Sequence, residues 1–341
     1  MPISDLPIES IRSELKSTFQ QYKRFVLEAP TGSGKSTQTP QMLIDEGIVT
    51  KGTIVMLQPR RLAARMLAKR ISWERKTKLG EEVGYQIRFE NNSSEDSKIV
   101  LLTEGILLRK MLSDPKLTGI SAILFDEFHE RNLFSDLTLA KAKLLQETHR
   151  PDLLIGVMSA TLDGEGLQHY LAPCARLQCK GRTFPVEVSY TTSQKNNREI
   201  PAWEKAANVF ESTAKAGQTG NILIFMPGAY EISQTIRHIE SKPISKQYEV
   251  LSLHGELPPE KQDRAFSESA NPKVIVATNV AETSLTIPGI SVVIDSGQAR
   301  IPSYDPNRGV NTLLVQPISQ ASAEQRAGRA GREGPGRCIR L

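Results

Sequence analysis

A glycine-rich segment near the start of the chain has the residue types of a phosphate-binding loop. Its sequence is Ala29-Pro-Thr-Gly-Ser-Gly-Lys-Ser-Thr37, and it lies between an apolar, strand-like run and a helical pattern. Glycines let such a turn direct backbone N–H groups at phosphate oxygens, and the start of the following helix adds positive potential. Lys35 is expected to reach the β- and γ-phosphates, and Ser36 to bind Mg²⁺. The segment therefore predicts a site for ATP and Mg²⁺ that contains Gly32, Ser33, Gly34, Lys35, Ser36 and Thr37.

A second apolar run, residues 121–125, ends in two carboxylates, Asp126 and Glu127. In open α/β folds, ligands bind at the carboxyl ends of parallel strands. We therefore expect Asp126 to hold Mg²⁺, directly or through water. We expect Glu127 to contact the metal through water and to deprotonate the water that attacks the phosphate. Two acids at a strand end are often merely solvated, so this prediction depends on the phosphate-binding loop upstream.

The elements that must position these residues follow from an alternation of apolar, strand-like runs with helical patterns. This alternation predicts an α/β fold built from βαβ units, with mainly parallel sheets covered by helices on both faces. Turn residues within 292–315 predict a hairpin. The expected strands are 25–29, 53–58, 98–103, 121–126, 152–159, 221–226, 248–253, 273–277 and 291–295. The expected helices are 35–46, 61–76, 105–113, 136–149, 230–240 and 259–268, with one more that begins near Trp203.

The alternation of apolar runs and helical patterns is interrupted at residues 172–200. Prolines, a glycine and a polar run there indicate a domain boundary near residue 180. We therefore expect one domain at 1–180 and a second at 181–341. A chain of 341 residues is long enough for two domains that each have a core. Because the chain ends within an apparent strand, the second domain is expected to continue past Leu341.

The composition narrows the class of protein. The formal net charge of +5 permits a polyanionic partner without demanding one. No apolar run approaches the roughly 20 residues of a membrane span, so no membrane partner is expected. The three cysteines, Cys174, Cys179 and Cys338, are an odd, sparse set that forms no disulfide framework, and no Cys/His cluster has the spacing of a zinc site. A reducing compartment is favoured, and we expect a cytoplasmic location.

Asp126-Glu-Phe-His129 resembles the DEAH box of superfamily 2 helicases, with Phe in place of Ala. The phosphate-binding loop also has the form found in that superfamily, with Ala29 where the commoner pattern has Gly. The whole set is similar to the bacterial HrpB-type DEAH-box helicases, and seven motifs in one order make coincidence negligible. The further matches are Gln58-Pro-Arg-Arg-Leu-Ala-Ala-Arg65 (motif Ia), Thr103-Glu-Gly-Ile-Leu-Leu-Arg109 (Ib), Ser159-Ala-Thr-Leu162 (III), Phe225-Met-Pro-Gly228 (IV), Leu253-His-Gly255, Ala277-Thr-Asn-Val-Ala-Glu-Thr-Ser-Leu-Thr286 (V) and Gln325-Arg-Ala-Gly-Arg-Ala-Gly-Arg332 (VI).

The resemblance implies two tandem RecA-like domains with one ATP site in the cleft between them. It implies that Arg329 and Arg332 are arginine fingers, that Gln325 orients the lytic water, and that His129 and Ser159 adjoin the nucleotide. A guanidinium suits charge that develops on the γ-phosphate. The alternative is that the arginines of motif VI only line a solvated helix face, since residues three apart lie close together on a helix. The position of His129 alone leaves a structural or a functional role open.

The resemblance also implies a channel that binds single-stranded RNA, or an RNA duplex with a single-stranded overhang. The expected function is an RNA-stimulated ATPase that translocates 3′ to 5′ and unwinds duplexes. A nucleotide-gated RNA clamp, a DNA-directed helicase and a P-loop enzyme unrelated to nucleic acids remain alternatives. Other nucleoside triphosphates remain possible substrates, and protein partners are not indicated. The expected strand contacts are Arg60, Arg61, Thr103, Gly228, His254 and Thr278.

Overall fold

The computed structural model describes residues 6–160, 164–181, 184–191, 200–217, 219–282 and 286–341, and the side chains of residues 164 and 165 are not described. The chain divides into two compact units, Met1–Arg182 and Thr183–Leu341. Thr161 and Leu162 of motif III, most of the polar run near residue 195 and residues 283–285 within motif V lie outside the described residues.

The first unit is built on an eight-stranded sheet with the strand order β4-β3-β5-β2-β6-β7-β1-β8. Neighbouring strands are parallel except for β3 and β4. The strands are β1 (Arg24–Glu28), β2 (Thr53–Leu57), β3 (Val83–Ile87), β4 (Glu90–Asn92), β5 (Ile99–Leu102), β6 (Ile120–Phe125), β7 (Leu154–Ser159) and β8 (Ala175–Gln178). The helices are α1 (Arg12–Thr18), α2 (Lys35–Asp45), α3 (Arg61–Glu74), α4 (Glu104–Ser113), α5 (Leu133–Thr148) and α6 (Gly164–Leu171), with short 3₁₀ helices at Pro7–Ile11 and Phe128–Glu130.

The central strands of this sheet are apolar along their whole length because both of their faces are covered. Every residue of β7 is buried, and so are all four residues of β5. Parallel pairing places the carboxyl ends of β5, β2, β6, β7 and β1 on one edge of the sheet. We call this edge the carboxyl edge. It receives the phosphate-binding loop, the acidic pair and the start of motif Ia.

The second unit contains a six-stranded sheet, in which all neighbouring strands are parallel, with the order β11-β12-β10-β13-β16-β9. The strands are β9 (Val186–Tyr190), β10 (Asn221–Phe225), β11 (Glu249–Leu253), β12 (Lys273–Ala277), β13 (Ile290–Asp295) and β16 (Gly336–Arg340). The helices are α7 (Ala202–Lys215), α8 (Ala229–Glu240), α9 (Pro259–Arg264) and α10 (Gln320–Ala327), with 3₁₀ helices at Pro243–Gln247 and Asn279–Ala281. The α/β class with two RecA-like sheets is confirmed.

The expected hairpin is present, but its position differs from the prediction. It consists of β14 (Gln298–Asp305) and β15 (Val310–Pro317), which pair antiparallel apart from both main sheets. Residues 292–295 belong instead to β13, which pairs with β10 and β16. The turn at Ser296 and Gly297 therefore joins the parallel sheet to the hairpin.

Most of the strands that sequence patterns missed are short or lie at sheet edges. β9 is an edge strand without a buried residue, so it has no apolar run to recognise. β4 has only three residues, all of them polar. β3 is internal and mostly buried, but Gly84 and Gln86 interrupt its apolar run. Helix α5 begins earlier than predicted, at Leu133, because a capping box between Asn132 and Ser135 starts it there.

Two further findings concern membrane segments and cysteines. In the described part of the chain, no helix is both long and apolar enough to cross a membrane. Cys174, Cys179 and Cys338 are free thiols.

Candidate nucleotide site and nucleic-acid interface

The phosphate-binding loop joins β1 to α2 and has the backbone that its glycines predict. Gly32 and Gly34 have φ angles of +83° and +93°, in the left-handed region that favours glycine. A Cβ atom on Gly34 would lie 3.0 Å from Leu6 Cδ1 and 3.0 Å from Ile8 Cγ2. The Ile8 N–H also donates to the Ser33 carbonyl at 3.1 Å. The N-terminal 3₁₀ helix therefore packs on the loop, which the local sequence did not reveal.

Gly34→Ala is expected to weaken nucleotide binding by about tenfold, because a left-handed alanine costs about 1–2 kcal/mol and its Cβ would press on Leu6 and Ile8. Fluorescent-nucleotide titration measures the loss. Gly47→Ala is the matched control: Gly47 has a φ of +68°, and a Cβ atom there would meet no atom within 4 Å. The control should lose some stability but keep its nucleotide affinity. Equal affinity losses in both variants would contradict the prediction.

A cluster of buried charges lies where the loop meets the acidic pair. Lys35 Nζ is 3.3 Å from Glu127 Oε1, and the two side chains are only 3% and 1% exposed. Glu127 itself has a φ of +50°, which is uncommon for a residue other than glycine. Such strain at a charged, buried position is typical of a functional site.

Asp126 is held by donors from three sides. Gln58 Nε2 donates to Asp126 Oδ2 at 2.6 Å, and the Glu127 N–H donates to Oδ1 at 2.9 Å. The Ser36 hydroxyl also bonds to this carboxylate. Burial, followed by the charge of Glu127, raises the pKa of Asp126 to about 6, whereas Lys35, Ser36 and Gln58 oppose the shift. Gln58 is fully buried, and its contact with Asp126 was not predicted.

The donor set at this cluster fits Mg²⁺ bound together with a nucleotide. Mg²⁺ commonly takes one or two protein oxygens and completes its shell with water and substrate phosphates. Ser36 and Asp126 offer such oxygens side by side. Among the described residues, no group of three or more His, Cys, Asp or Glu side chains could hold a metal ion by itself. Phosphate oxygens would therefore be needed to complete the site.

His129 connects the acidic pair to the end of β7. Its Nδ1 atom is 3.2 Å from Ser159 Oγ and 3.5 Å from Glu127 Oε2, and it accepts from the Ala160 N–H at 3.5 Å. Burial is the main reason that the pKa of His129 is lowered, which favours the neutral ring. The structure thus brings His129 and Ser159 beside Glu127, where the neutral imidazole can hold the turn in place.

The arginines of motif VI have three different environments. Arg326 is fully buried, with Nη1 2.7 Å from Asp295 Oδ1 and Nε 3.1 Å from Glu282 Oε2. Arg329 is also buried and donates from Nε to the Glu282 carbonyl at 2.9 Å. Arg332 is half-buried and donates to the Thr286 hydroxyl at 2.7 Å.

These environments exclude one alternative for motif VI. α10 ends at Ala327, so Gln325 lies in its last turn whereas Arg329 and Arg332 lie beyond it. The possibility that the arginines line a solvated helix face is therefore wrong. Arg326 serves the fold, because it joins α10 to the end of β13.

The expected nucleic-acid contacts in the first unit follow two neighbouring strands. Arg60 and Arg61 come after β2, where α3 begins, and Thr103 comes after β5, where α4 begins. β2 and β5 are paired, so these residues lie at adjoining positions of the carboxyl edge. Arg61 is exposed, whereas Arg60 is half-buried and lies 3.2 Å from Glu130 Oε2 through Nη2.

The expected contacts in the second unit follow three neighbouring strands. Gly228 comes after β10, His254 after β11 and Thr278 after β12, and these strands are adjacent in the order β11-β12-β10. The Thr278 side chain caps a 3₁₀ helix by accepting from the Val280 N–H. Burial lowers the pKa of His254, so its ring contributes little positive charge at neutral pH.

The first sheet carries a phosphate-binding loop and an acidic box, and the second, parallel sheet lies in the unit that contains motif VI. Together they define a tandem RecA-like helicase core. Residues 10–169 match the family model "DEAD/DEAH box helicase", and residues 204–334 match "Helicase conserved C-terminal domain". The chain belongs to the DEAD/DEAH-box helicases.

Relatives support the resemblance to HrpB-type proteins. The chain is 39% identical to the ATP-dependent RNA helicase HrpB of Escherichia coli K12 over 99% of this chain and 41% of that protein. It is also 39% identical to the ATP-dependent RNA helicase HrpA homolog of Haemophilus influenzae over 98% of this chain and 26% of that protein. The chain therefore spans less than half the length of these relatives.

Solved structures agree with this assignment. The crystal structure of the Escherichia coli DEAH/RHA helicase HrpB has a TM-score of 0.90 and 38% identity, covering 99% of this chain and 42% of that one. A second crystal structure, of the E. coli DExH-box NTPase HrpB, has a TM-score of 0.82 and 38% identity, covering 100% of this chain and 42% of that one.

Proposed function

We propose that this chain is the motor core of an ATP-dependent RNA helicase, which hydrolyses ATP with Mg²⁺ and is stimulated by single-stranded RNA. The observation that carries the proposal is the buried cluster of Lys35, Glu127 and Asp126, with Ser36 beside it. Within the proposal, residues 1–180 form the ATP-binding domain and residues 181–341 the helicase C-terminal domain. The cytoplasm is the proposed location.

The proposed chemistry assigns one task to each side chain of the cluster. Lys35 would bind the β- and γ-phosphates, and Ser36 and Asp126 would hold Mg²⁺, Asp126 directly or through water. When bound, Mg²⁺ supplies positive charge that offsets the charge of the phosphates. Phosphate oxygens replace the Glu127 carboxylate as partners of Lys35. Glu127 then accepts the proton of the attacking water.

Residues of the second unit are proposed to stabilise the same reaction. By family resemblance, Gln325 orients the water, and Arg329 and Arg332 oppose the charge that develops on the γ-phosphate. His129 and Ser159 keep the turn that carries Glu127 in place, through the contacts of His129 Nδ1.

Strand binding is proposed at the strand ends that carry motifs Ia, Ib, IV and V. Arg60, Arg61 and Thr103 in the first unit, and residues after β10, β11 and β12 in the second, would contact the backbone of single-stranded RNA. Contacts to phosphates do not depend on base sequence and weaken with salt. Movement from 3′ to 5′ and the unwinding of duplexes with overhangs complete the proposal. A clamp with little unwinding and a DNA-directed motor are its alternatives.

Glu127→Gln is expected to lower ATP turnover by about 10²-fold or more, because an amide cannot accept the proton of the attacking water. Steady-state hydrolysis is measured for wild type and variant with no polymer, with single-stranded RNA and with single-stranded DNA. Stimulation by RNA supports the proposal, whereas equal or greater stimulation by DNA favours the alternative substrate. Hydrolysis that no polymer changes would contradict the proposed coupling. Measuring the unwinding of a duplex with a 3′ overhang then distinguishes a helicase from a clamp.

A further inference from the structure

Two side-chain contacts join the loop after β2 to the loop after β6. One is the bond from Gln58 to Asp126, and the other is the ion pair between Arg60 Nη2 and Glu130 Oε2 at 3.2 Å. The Gln58 bond is fully buried, whereas the side chains of Arg60 and Glu130 are each 21% exposed. The ion pair therefore lies where solvent, or a ligand from solvent, can reach it.

The guanidinium of Arg60 lies where it could bind either a carboxylate of the protein or a phosphate of a bound strand. It stands at the start of α3, on the carboxyl edge beside Thr103, where a strand phosphate is proposed to bind. Carboxylate and phosphate both match the fork of a guanidinium, so Glu130 and a phosphate oxygen compete for its donors.

Glu130 is connected to the hydrolytic residue through the backbone. It ends the 3₁₀ helix Phe128–Glu130, and its N–H donates to the Glu127 carbonyl at 2.9 Å. His129 lies between them and contacts Ser159 and Glu127. A displacement of Glu130 is therefore passed within one turn to the residues that hold the Glu127 carboxylate.

The surroundings of Glu130 favour its displacement when Arg60 no longer pairs with it. Glu104 is buried at the start of α4, where Asn132 bonds to its carboxyl group. Burial, and to a smaller degree the charge of Glu130, raises the pKa of Glu104. Without the guanidinium of Arg60, Glu130 would lose its cationic partner, and its carboxylate is then better solvated when it turns toward solvent.

We propose that the Arg60–Glu130 ion pair is a gate by which single-stranded RNA switches on hydrolysis. A strand phosphate takes Arg60 from Glu130, and the released turn lets Glu127 adopt its hydrolytic position. Glu130 is thus a positioning residue that restrains Glu127 until a strand is bound. This inference rests on the proposed function and specifies how that function is regulated.

The test is a double-mutant cycle of Glu130→Gln and Arg60→Gln, with two readouts. Binding of a fluorescein-labelled oligouridylate is measured by anisotropy, and ATP turnover is measured with and without saturating oligouridylate. Glu130→Gln should bind RNA about two- to fivefold tighter, as expected for the loss of a partly exposed competing ion pair. Its RNA-free turnover should rise toward the stimulated rate while its RNA-saturated turnover stays the same. In the Arg60→Gln background, Glu130→Gln should change RNA affinity by less than about twofold.

Asp136→Asn is the matched control, because Asp136 pairs with the neighbouring Arg131 at 2.9 Å in an exposed position. It should alter neither readout. A Glu130→Gln protein with both turnovers lowered, or with unchanged stimulation, would overturn the gate. So would an affinity gain that persists without Arg60. A wild-type protein that hydrolyses ATP without any response to RNA would overturn both the gate and the proposed RNA coupling. A responsive wild type with an unaltered Glu130→Gln would overturn the gate alone.

Discussion

Lys35→Ala is expected to abolish ATP turnover. The ammonium of Lys35 is the positive charge that the loop after β1 presents to the β- and γ-phosphates, and no second lysine or arginine lies in that loop. Its removal should weaken nucleotide binding and leave the transition-state charge without its main partner in the first unit. Steady-state hydrolysis and fluorescent-nucleotide titration measure the two effects.

The contact between Lys35 and Glu127 requires a control for folding. Both side chains are buried, so Lys35→Ala leaves a buried carboxylate without its ammonium. Breaking a buried pair commonly costs about 3–5 kcal/mol of stability. The double variant with Glu127→Gln removes that charge, so it should melt above the single variant and still not hydrolyse ATP. A folded Lys35→Ala protein with wild-type turnover would show that this loop is not the nucleotide site.

Arg332→Ala is expected to lower turnover by about 10³-fold or more while nucleotide binding is kept, as for an arginine finger. Arg332 is the least buried of the three arginines of motif VI, and its Nη1 donates to the Thr286 hydroxyl. Of the three arginines, Arg332 is therefore the one that a phosphate from solvent can reach most readily. Single-turnover hydrolysis with saturating ATP separates the chemical step from binding.

Arg326→Ala is the control that distinguishes a finger from a structural arginine. Arg326 is fully buried between Asp295 and Glu282, so its loss should destabilise the second unit by about 3–5 kcal/mol. Thermal melting should detect this loss in Arg326→Ala and leave Arg332→Ala near wild type. Normal turnover in a folded Arg332→Ala protein would reject its role as a finger.

The loop proposed to bind phosphate could be recognised in the sequence because its conformational requirements are local. A left-handed turn needs glycine, so Gly32 and Gly34 mark the loop wherever it is folded. Apolar runs such as β7 predict parallel strands buried on both faces, and the acidic pair follows from its place at the end of such a strand. These patterns predicted the α/β class without knowledge of the strand order, and they selected the residues that are proposed to form the ATP site.

The tertiary structure alone decided which strand ends are neighbours, and with them the partners of the site residues. Gln58 meets Asp126 across 68 positions of sequence because β2 pairs with β6. Ile8 packs on Gly34 because the N-terminal helix folds back onto the loop. The partners of motif VI also could not be predicted from the sequence. Its arginines are evenly spaced, yet Arg326 lies between two carboxylates and Arg332 donates to a hydroxyl. Spacing along a chain determines local geometry, whereas burial and charge pairing depend on the elements that packing brings together.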